Sequence, residues 1–430
     1  MSDAATLPGP AAMPAAEGVS GTRSDAFARR LKKRYAAEKR FKALGLSAVL
    51  FSVAMLVFLL TTMLWNGLGG FQRAELAVPI DLASAGLSAD PTVLAQADAV
   101  QNLEMQGLPQ IVGAAAERAL GPAAQEAVDP NAWRVVADRI IADPALAGTP
   151  TIYRLPAAPA LAAGFEGEGT HEMRALAKRL SGEGKLAKNF DGGFLTRSDA
   201  TSAQHAGVWG ALKGSALTML VTFLLAFPIG VLSALYLEEY APRNRWTELI
   251  EVSINNLAAV PSIIFGLLGL AVFLALFPNL RSAPLIGGMT LALMTMPVIV
   301  ISGRNAIKAV PPSIRDGALA IGASPVQVVF HHVLPLALPG ILTGSIIGMA
   351  RALGETAPLL MIGMRAFIST PPDGFTSPAS VLPVQIFLWS DEVSRGFVER
   401  TSAAIVVLLG FLLAMNGLAI YLRNHFEKKW

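Results

Sequence analysis

Residues 338–364 have the sequence LPGILTGSIIGMARALGETAPLLMIGM, an apolar stretch long enough to cross a bilayer as a helix. Arg351 and Glu355 interrupt it, and their i, i+4 spacing would place both side chains on one face of that helix. We expect the pair near the centre of the span, where each ionised group costs about 2.5 to 3.5 kcal/mol on insertion scales. Ordinary packing does not explain such a cost, so the pair is a candidate functional site in a membrane protein.

The composition of the whole chain also indicates several membrane helices. Of the 430 residues 53% are apolar and 15% are charged, and the mean hydropathy is +0.51, which excludes an ordinary soluble enzyme. Apolar runs of spanning length lie at residues 44–64, 216–237, 257–277, 285–302, 338–364 and 402–422. We therefore predict an all-α membrane protein with six transmembrane helices, of which one is N-terminal and the others lie within residues 208–422.

Basic residues near the chain ends predict the orientation in the membrane. The first 43 residues hold nine Lys and Arg against four Asp and Glu, and the tail at residues 423–430 carries Arg423, Lys428 and Lys429. Because cytoplasmic segments are enriched in positive charge, both termini are predicted to be cytoplasmic. Residues 365–400 then fall outside, although they contain several arginines.

Residues 65–207 are predicted to form a periplasmic insert of mixed or helical structure, which is long enough to fold by itself. Its many alanines and its glycine and proline breaks indicate a thin core. The chain has no cysteine, so no disulfide holds the insert together. Docking of a partner and a passive insertion both stay open as its role.

A cytoplasmic loop at residues 304–337 has the punctuation of a docking element. The surrounding sequence, SGRNAIKAVPPSIRDGALAIGASPVQVVFHHVLPLALPG, covers residues 302–340. Pro311, Pro312, Gly322 and the Ser324-Pro325 pair predict a short helix, a glycine-permitted turn and a second helix. A compact protrusion of this kind at the membrane surface suits docking to another protein.

The loop resembles the EAA loop of ABC importer permeases, whose form is Glu-Ala-Ala, three residues, Gly, nine residues, Ile, one residue and Leu-Pro. The positions that match this spacing are Asp316, Gly317, Ala318, Gly322, Leu334 and Pro335. Asp316 replaces Glu, Gly317 replaces Ala and His332 replaces Ile. Other segments, among them LPGILTGSIIGMARALGETAPLLMIG, resemble the PstA family of permease subunits of the phosphate ABC importer.

The resemblance implies a bacterial inner-membrane permease that moves phosphate by alternating access, with a type I importer core at residues 208–422. The implied partners are a dimer of a PstB-like cytoplasmic ATPase, a PstC-like sister permease and a PstS-like periplasmic phosphate-binding protein. Arg315 and the matching positions would then couple the permease to the ATPase. The chain itself has no G-x-x-x-x-G-K-[ST] stretch to bind nucleotide phosphates. No cofactor, metal or nucleic acid is implied.

The intramembrane pair fits an anion route. Arginine stays charged and its planar fork can bind two oxygens of a phosphate at once. Glu355 would neutralise Arg351 when no substrate is present, and Thr356 could bind substrate or a carbonyl that Pro358 leaves free. A structural salt bridge without contact to substrate stays open as an alternative for Arg351 and Glu355.

Other features predict packing and boundaries. Gly354 and Pro358 bracket Glu355 and predict a kink, while Gly340, Gly344 and Gly348 at i, i+4 spacing predict close helix packing. The apolar run at residues 382–389 is too short to span and indicates an interfacial or re-entrant segment. Two other functions stay open: a permease for another oxyanion or solute, and a membrane-anchored sensory or scaffolding protein.

Overall fold

The computed structural model describes residues 20–84, 87, 94, 99–364, 367–392 and 395–426. Residues 1–62 and 63–430 form two separate compact units. Of the first unit the structure describes one helix, the part of α1 (Ser20–Gly70) that ends at Thr62. Its apolar side chains from Leu44 to Leu60 are exposed, as expected for a helix surrounded by lipid. Residues 1–19, and Lys428 and Lys429 of the basic tail, lie outside the described residues.

The insert in the second unit is an α/β fold around a small sheet. Its elements in chain order are β1 (Gln72–Ile80), α2 (Ala99–Met105), α3 (Leu108–Leu120), α4 (Ala124–Ala127), α5 (Trp133–Ala142), β2 (Thr151–Pro156), α6 (Pro159–Phe165), α7 (His171–Gly182) and β3 (Leu186–Phe190). The strands pair antiparallel in the order β2-β1-β3. In this register Leu76 of β1 lies opposite Leu155 on one side and Leu186 on the other.

One face of the sheet carries the core of the insert. Because side chains alternate along a strand, Leu76, Val78 and Ile80 all point to this face, where they are buried against α3 and α5. Many of the facing helix residues are buried alanines, among them Ala116 and Ala137. The prediction of a thin core, which rested on the alanine content, was therefore wrong. The alanines are part of the buried core, where their small side chains let the helix backbones approach the sheet closely.

The remaining elements form the membrane part. In chain order they are α8 (Trp209–Leu235), α9 (Arg245–Ala258), α10 (Ser262–Leu268), α11 (Leu274–Leu276), α12 (Pro284–Lys308), α13 (Pro312–Ala320), α14 (Pro325–Gln327), α15 (Leu334–Gly354), α16 (Ala357–Met361), α17 (Leu382–Ser390) and α18 (Arg395–Phe426). The described residues contain five helical stretches able to cross a membrane: Arg30–Gly70, Trp209–Tyr240, Pro284–Lys308, Pro325–Gly354 and Gly396–His425. The chain is a helical, multi-pass membrane protein.

Two of the six predicted spans differ from the structure. Residues 257–277 are not one straight helix, because Arg245–Ala258 and Ser262–Leu276 are bent by 103° at a break that contains Pro261. The bent pair is either a broken span or a re-entrant loop. The span predicted at residues 338–364 ends early, since α15 stops at Gly354. Pro358 lacks an N–H and would crowd the carbonyl of residue 354, which disfavours a continuous helix at this point.

Helix α12 lies between α8 and α15, and small residues bring these helices close. A Cβ at Gly344 of α15 would overlap the side chain of Ser302 on α12, and one at Gly340 would lie 2.7 Å from the Ala306 Cβ. Helix α8 is equally close to α12, since a Cβ at Gly230 of α8 would lie 2.8 Å from the Ile299 Cγ2. The predicted packing role of the glycines at 340, 344 and 348 is confirmed.

A buried ionic cluster joins the insert to α18. Asp191 follows β3 and its Oδ2 accepts hydrogen bonds from Arg197 Nη2 at 2.6 Å and from Arg400 Nη2 at 2.8 Å. Arg400 also donates to the carbonyls of Ala203 and Gly70 at 2.9 and 2.8 Å. Because Asp191 and Arg400 are both 3% exposed, this cluster is shielded from water and stronger than a surface pair.

The same region holds α17 in place. The Trp389 indole N–H donates to Asp199 Oδ1 at 3.0 Å, and Gln385 Nε2 donates to the Gly207 carbonyl at 2.9 Å. Both partners lie in the segment between the insert and α8. The apolar run at residues 382–389, predicted to be an interfacial or re-entrant segment, forms the short helix α17. This helix is fixed to the chain segment that leaves the insert.

Candidate functional site

The loop at residues 304–337 folds as its punctuation predicts. Helix α13 begins at Pro312 and is followed by a turn in which Gly322 has a φ of 89°, a left-handed conformation that favours glycine. Ser324 then caps the next helical segment: its Oγ accepts from the Gln327 N–H at 3.3 Å, and the Gln327 side chain accepts from the Ser324 N–H at 2.9 Å. The result is a short helix, a tight turn and a second helix.

The tip of this loop is exposed and largely apolar. Asp316, Gly317 and Gly322 are exposed, and a Cβ at either glycine would meet no atom within 4 Å. Ile321 beside the turn is 81% exposed. The other exposed apolar side chains of the loop are Leu319, Val326 and Phe330. Exposed apolar patches mark surfaces that contact another protein or a membrane.

The remaining predicted coupling residues lie behind the tip. Ala318 is buried and packs in the cluster that includes Val329 and Ile341. Leu334 and Pro335 are half-buried and begin α15. Arg315 is occupied within the chain, since its guanidinium binds the carboxylate of Glu239 and two backbone carbonyls. The structure thus brings Asp316, Gly317 and Gly322 to the exposed tip and uses the other four positions inside the protein.

Sequence reasoning missed two groups in this region. The apolar tip residues were overlooked, although Ile321 and Leu319 flank the glycine turn of a loop that is otherwise rich in polar and small residues. Glu239 was overlooked as well, because nothing in the sequence joins it to Arg315, which lies 76 positions away. The LEEY segment that holds it looks like an ordinary helix end.

The Arg351–Glu355 pair lies at a break in the helix. Arg351 is in the last turn of α15 and Glu355 follows the end of the helix, with φ −80° and ψ 111°. The Nε of Arg351 donates to Glu355 Oε1 at 3.4 Å. The predicted kink is confirmed as a full helix end, but the expectation that Arg351 lies in the middle of a continuous span was wrong.

The geometry leaves Arg351 available to a ligand. Its side chain is 48% exposed, whereas that of Glu355 is 21% exposed. Within the described ranges only its Nε has a hydrogen-bonding partner, so both terminal nitrogens still have donors to offer. A cation at a helix C-terminus is also favoured by the helix dipole. Thr356 is half-buried beside the pair, and its hydroxyl makes no hydrogen bond to the described residues.

Helix α16 fixes the far side of the break. Pro358 is buried against α10, where a Cβ at Gly266 would lie 2.7 Å from the Pro358 Cα. One turn later, Gly269 is in contact with Thr290 of α12 and with Ile362. The break therefore lies between a rigid α15 and a rigid α10–α16 contact, which holds Arg351, Glu355 and Thr356 in a defined place.

Comparison with family models divides the chain. Residues 226–430 match the family described as binding-protein-dependent transport system inner membrane component. Residues 28–175 match a family described as a domain of unknown function (DUF3333). The first match contains the loop at residues 304–337 and the Arg351–Glu355 pair, and the second contains most of the insert.

This chain matches more than two thirds of the length of two curated relatives. The probable ABC transporter permease protein YqgI of Bacillus subtilis is 34% identical over 254 residues, which are 55% of this chain and 84% of that protein. The phosphate transport system permease protein PstA of Yersinia pestis is 31% identical over 238 residues, 55% of this chain and 78% of that protein. Among solved structures, the inward-facing MetNI methionine ABC transporter aligns at 18% identity with a TM-score of 0.41, over 52% of this chain and 95% of that one.

Proposed function

The chain belongs to the PstA-type permeases of ABC transporters, and from this premise we propose that it imports inorganic phosphate across the bacterial inner membrane. The proposal rests chiefly on one observation: the helix-turn-helix protrusion at residues 312–327 has an apolar tip with nothing to cover it among the described residues. Transport driven by a separate motor requires such a docking point. The chain itself would catalyse no reaction.

A cytoplasmic ATPase dimer is the proposed motor. When the dimer closes on ATP it would pull the loop around Asp316, Gly317 and Gly322, and Ala318 would pass this movement to the buried cluster behind the tip. Leu334 and Pro335, at the start of α15, would pass it to the helix that carries Arg351. The permease would in this way alternate between openings toward the two sides of the membrane.

The break after α15 is the proposed anion route. A low-dielectric barrier is costly for phosphate unless a fixed cation offsets the lost hydration. The terminal nitrogens of Arg351 would bind two phosphate oxygens, and Thr356 would add a hydroxyl donor. Glu355 keeps the site from binding too tightly, because it competes for the same guanidinium, and conduction requires release as well as binding.

Further partners and the orientation follow from the same proposal. A PstB-like ATPase would dock at the loop, a PstC-like sister permease would complete the route, and a PstS-like binding protein would deliver phosphate from the periplasm. Both termini would be cytoplasmic and residues 65–207 periplasmic. The basic N-terminal segment would then be residues 1–43, and the first span residues 44–64. The permease core would be residues 208–422, and the tail residues 423–430.

Reconstituted transport tests the proposal. The permease complex, with its ATPase and binding protein, is placed in proteoliposomes, and uptake of radiolabelled phosphate is measured with ATP inside. We expect ATP-dependent uptake that unlabelled phosphate suppresses and that an excess of sulfate or molybdate does not. Uptake that ignores phosphate but responds to another oxyanion would reassign the substrate.

A loop variant separates transport from a sensory or scaffolding role. Ile321→Asp places a charge at the centre of the apolar tip and should weaken ATPase binding by about 2 kcal/mol, or roughly 30-fold, as at other interface hot spots. Met105→Asp is the matched control, since Met105 is an equally exposed apolar residue on the insert. A scaffolding protein would keep its function in both variants, whereas a transporter loses uptake only in the first.

A further inference from the structure

A π-helical turn at the end of α8 aims two neighbouring carboxylates at different elements. The turn covers Tyr236–Tyr240 and contains Glu238 and Glu239. A π-helical turn inserts an extra residue into a helix and often marks a functional position. Here it directs Glu238 toward Arg304 and Lys308 of α12, and Glu239 toward Arg315 of α13.

Glu239 and Arg315 form a bidentate pair. Arg315 Nη2 donates to Glu239 Oε1 at 2.7 Å, and its Nε contacts the two carboxylate oxygens at 3.2 and 3.4 Å. The side chains are 23% and 11% exposed, so the pair is mostly removed from water. Pairing of this fork-like kind fixes geometry as well as charge.

Arg315 is also bonded to the end of α12. Its Nη1 donates to the Val310 carbonyl at 2.7 Å and its Nη2 to the Ile307 carbonyl at 3.0 Å. One guanidinium therefore connects α13, the end of α12 and the π-helical turn that ends α8. We call Glu239, Arg315 and these two carbonyls the Glu239 clasp.

Glu238 braces the same helix ends independently. It accepts from Arg304 Nε at 3.4 Å and lies 3.6 Å from Lys308 Nζ, and Arg304 in turn pairs with Glu251 of α9 at 2.6 Å. The ends of α8, α9 and α12 are thus held together without Glu239. Loss of Glu239 would leave these helices assembled and would remove only their ionic connection to α13.

We propose that Glu239 is a positioning residue, and that the Glu239 clasp transfers movement of the exposed loop to α8 and α12. This deepens the proposed function and rests on it. Without the clasp, α13 is attached through Pro311, Pro312 and the apolar contacts of Ile314 and Ala318. The prolines cannot supply backbone donors to stiffen the connection, so α13 would swing without moving α8 and α12.

The test uses the whole complex with four variants. Glu239→Gln removes the charge and keeps the shape, Arg315→Glu and Glu239→Arg each place like charges together, and the double swap restores an opposite-charge pair. Glu248→Gln and Arg243→Glu are the controls, because both residues are exposed nearby and neither forms an ion pair within the described part of the chain. Three quantities are measured: copurification of the ATPase, phosphate moved per ATP hydrolysed, and stimulation of hydrolysis by the binding protein.

The expected result is uncoupling without disassembly. Glu239→Gln should keep the ATPase bound but reduce phosphate moved per ATP by about tenfold, the scale of one lost charge-assisted hydrogen bond. The reversals should reduce it further, the double swap should recover most of it, and the controls should match the unaltered protein. A merely structural role would not change the ratio of transport to hydrolysis.

Two outcomes overturn the clasp. One is an unchanged ratio in Glu239→Gln, and the other is loss of ATPase binding that the double swap does not restore. If the unaltered complex moves no phosphate, the proposed substrate has failed but the clasp is still tested. The binding protein stimulates ATP hydrolysis by an effect transmitted through the permease, which does not depend on the identity of the substrate. This stimulation should disappear in Glu239→Gln and be retained in Glu248→Gln.

Discussion

For Arg351, the sequence predicted the partner correctly and the position in the helix wrongly. Its pairing with Glu355 and the break beside Pro358 both follow from spacing and proline chemistry, and the structure contains both. Its depth in the helix does not follow, because a hydropathy window continues through apolar residues whether or not the backbone is helical. Gly354 and Pro358 were sufficient to end the helix at residue 354, and this places Arg351 at an end, where its donors are free.

Replacing this arginine tests the anion route. Arg351→Gln should reduce phosphate uptake by about tenfold or more, because a charged hydrogen bond to the anion is lost. The complex should stay assembled. Arg118→Gln in the insert is the control, since among the described residues the Arg118 side chain donates only to the Ala114 carbonyl one turn earlier. Normal uptake by an assembled Arg351→Gln complex contradicts a role on substrate, and disassembly favours the structural salt bridge instead.

His205 gives the insert a sensitivity to mild acid. Burial lowers the pKa of His205, the Asp129 carboxylate opposes this shift, and the nearby Arg197 and Arg73 add to the lowering while Asp191 counteracts it. The unfolded chain, with a histidine pKa of about 6.5, therefore binds the proton before the folded chain does. Stability falls as the pH drops below about 6.5 and continues to fall until the folded pKa is reached.

Asp191, at the centre of the buried ionic cluster, affects stability in a different pH range. Burial alone would raise the pKa of Asp191, but Arg197, Arg400 and Arg73 outweigh it and hold the pKa below its usual value. Its stabilising contribution is therefore complete above about pH 3.9 and is lost only as the pH falls further. A loss of stability that begins near pH 6.5 is therefore expected from His205 and not from Asp191.

A histidine variant checks this assignment. In His205→Gln the thermal unfolding midpoint should depend less on pH below about 6.5 than in the unaltered protein, since no proton is taken up on unfolding at this position. His171→Gln is the control, because His171 is exposed at the start of α7. Identical pH profiles for His205→Gln and the unaltered protein would show that another group titrates.

At the scale of elements, the contact between α12 and α15 was predictable and the direction of the bend near Pro261 was not. Glycines four positions apart in a membrane helix are typical of a surface where a second helix packs closely. Residues 340, 344 and 348 therefore predict a partner helix. Pro261 is a local signal for the break in the bent pair at 245–276, but the direction of the bend depends on the contact of Gly266 with Pro358. A contact between residues so far apart in sequence has no local signal.

A glycine variant measures this helix contact. Gly344→Ala adds a methyl group that overlaps Ser302 and should lower stability by about 1 to 3 kcal/mol, the usual cost of overpacking. Ser302→Gly in the same chain should restore most of the loss. Gly410→Ala on α18 is the control, because its Cβ would enter open space. Equal unfolding midpoints for Gly344→Ala and Gly410→Ala would disprove the contact.

For the whole molecule, the apolar residues of the sequence indicated a membrane protein with a separate insert. The structure adds the ionic contacts that join this insert to the membrane helices of the second unit. Arg73, Asp191, Arg197 and Arg400 come from three separate regions of the sequence. Each would pass for a surface charge in the sequence alone. Their meeting depends on the pairing of β1 with β3 and on the approach of α18, neither of which a local pattern encodes.

Breaking this junction should separate the insert from the helices. Arg400→Met leaves Asp191 buried with fewer partners and should cost about 3 to 5 kcal/mol, with a single unfolding transition replaced by two. Adding Asp191→Asn should recover part of the loss, because the uncompensated charge is gone. Arg154→Met on β2 is the control, as Arg154 is exposed and donates to Asn189 alone among the described residues. Limited proteolysis of the insert measures the outcome, and equal protection in Arg400→Met and Arg154→Met contradicts the prediction.

The bond between Arg400 and the carbonyl of Gly70 spans 330 positions, and this sets an order of events at the ribosome. Gly70, β1 and Asp191 are all synthesised before α18, so the insert must wait with a carboxylate that lacks one of its cations. The junction between the insert and the helices is then completed only when α18 has been made. A truncated nascent chain would remain recognisably unfinished and open to quality-control proteases.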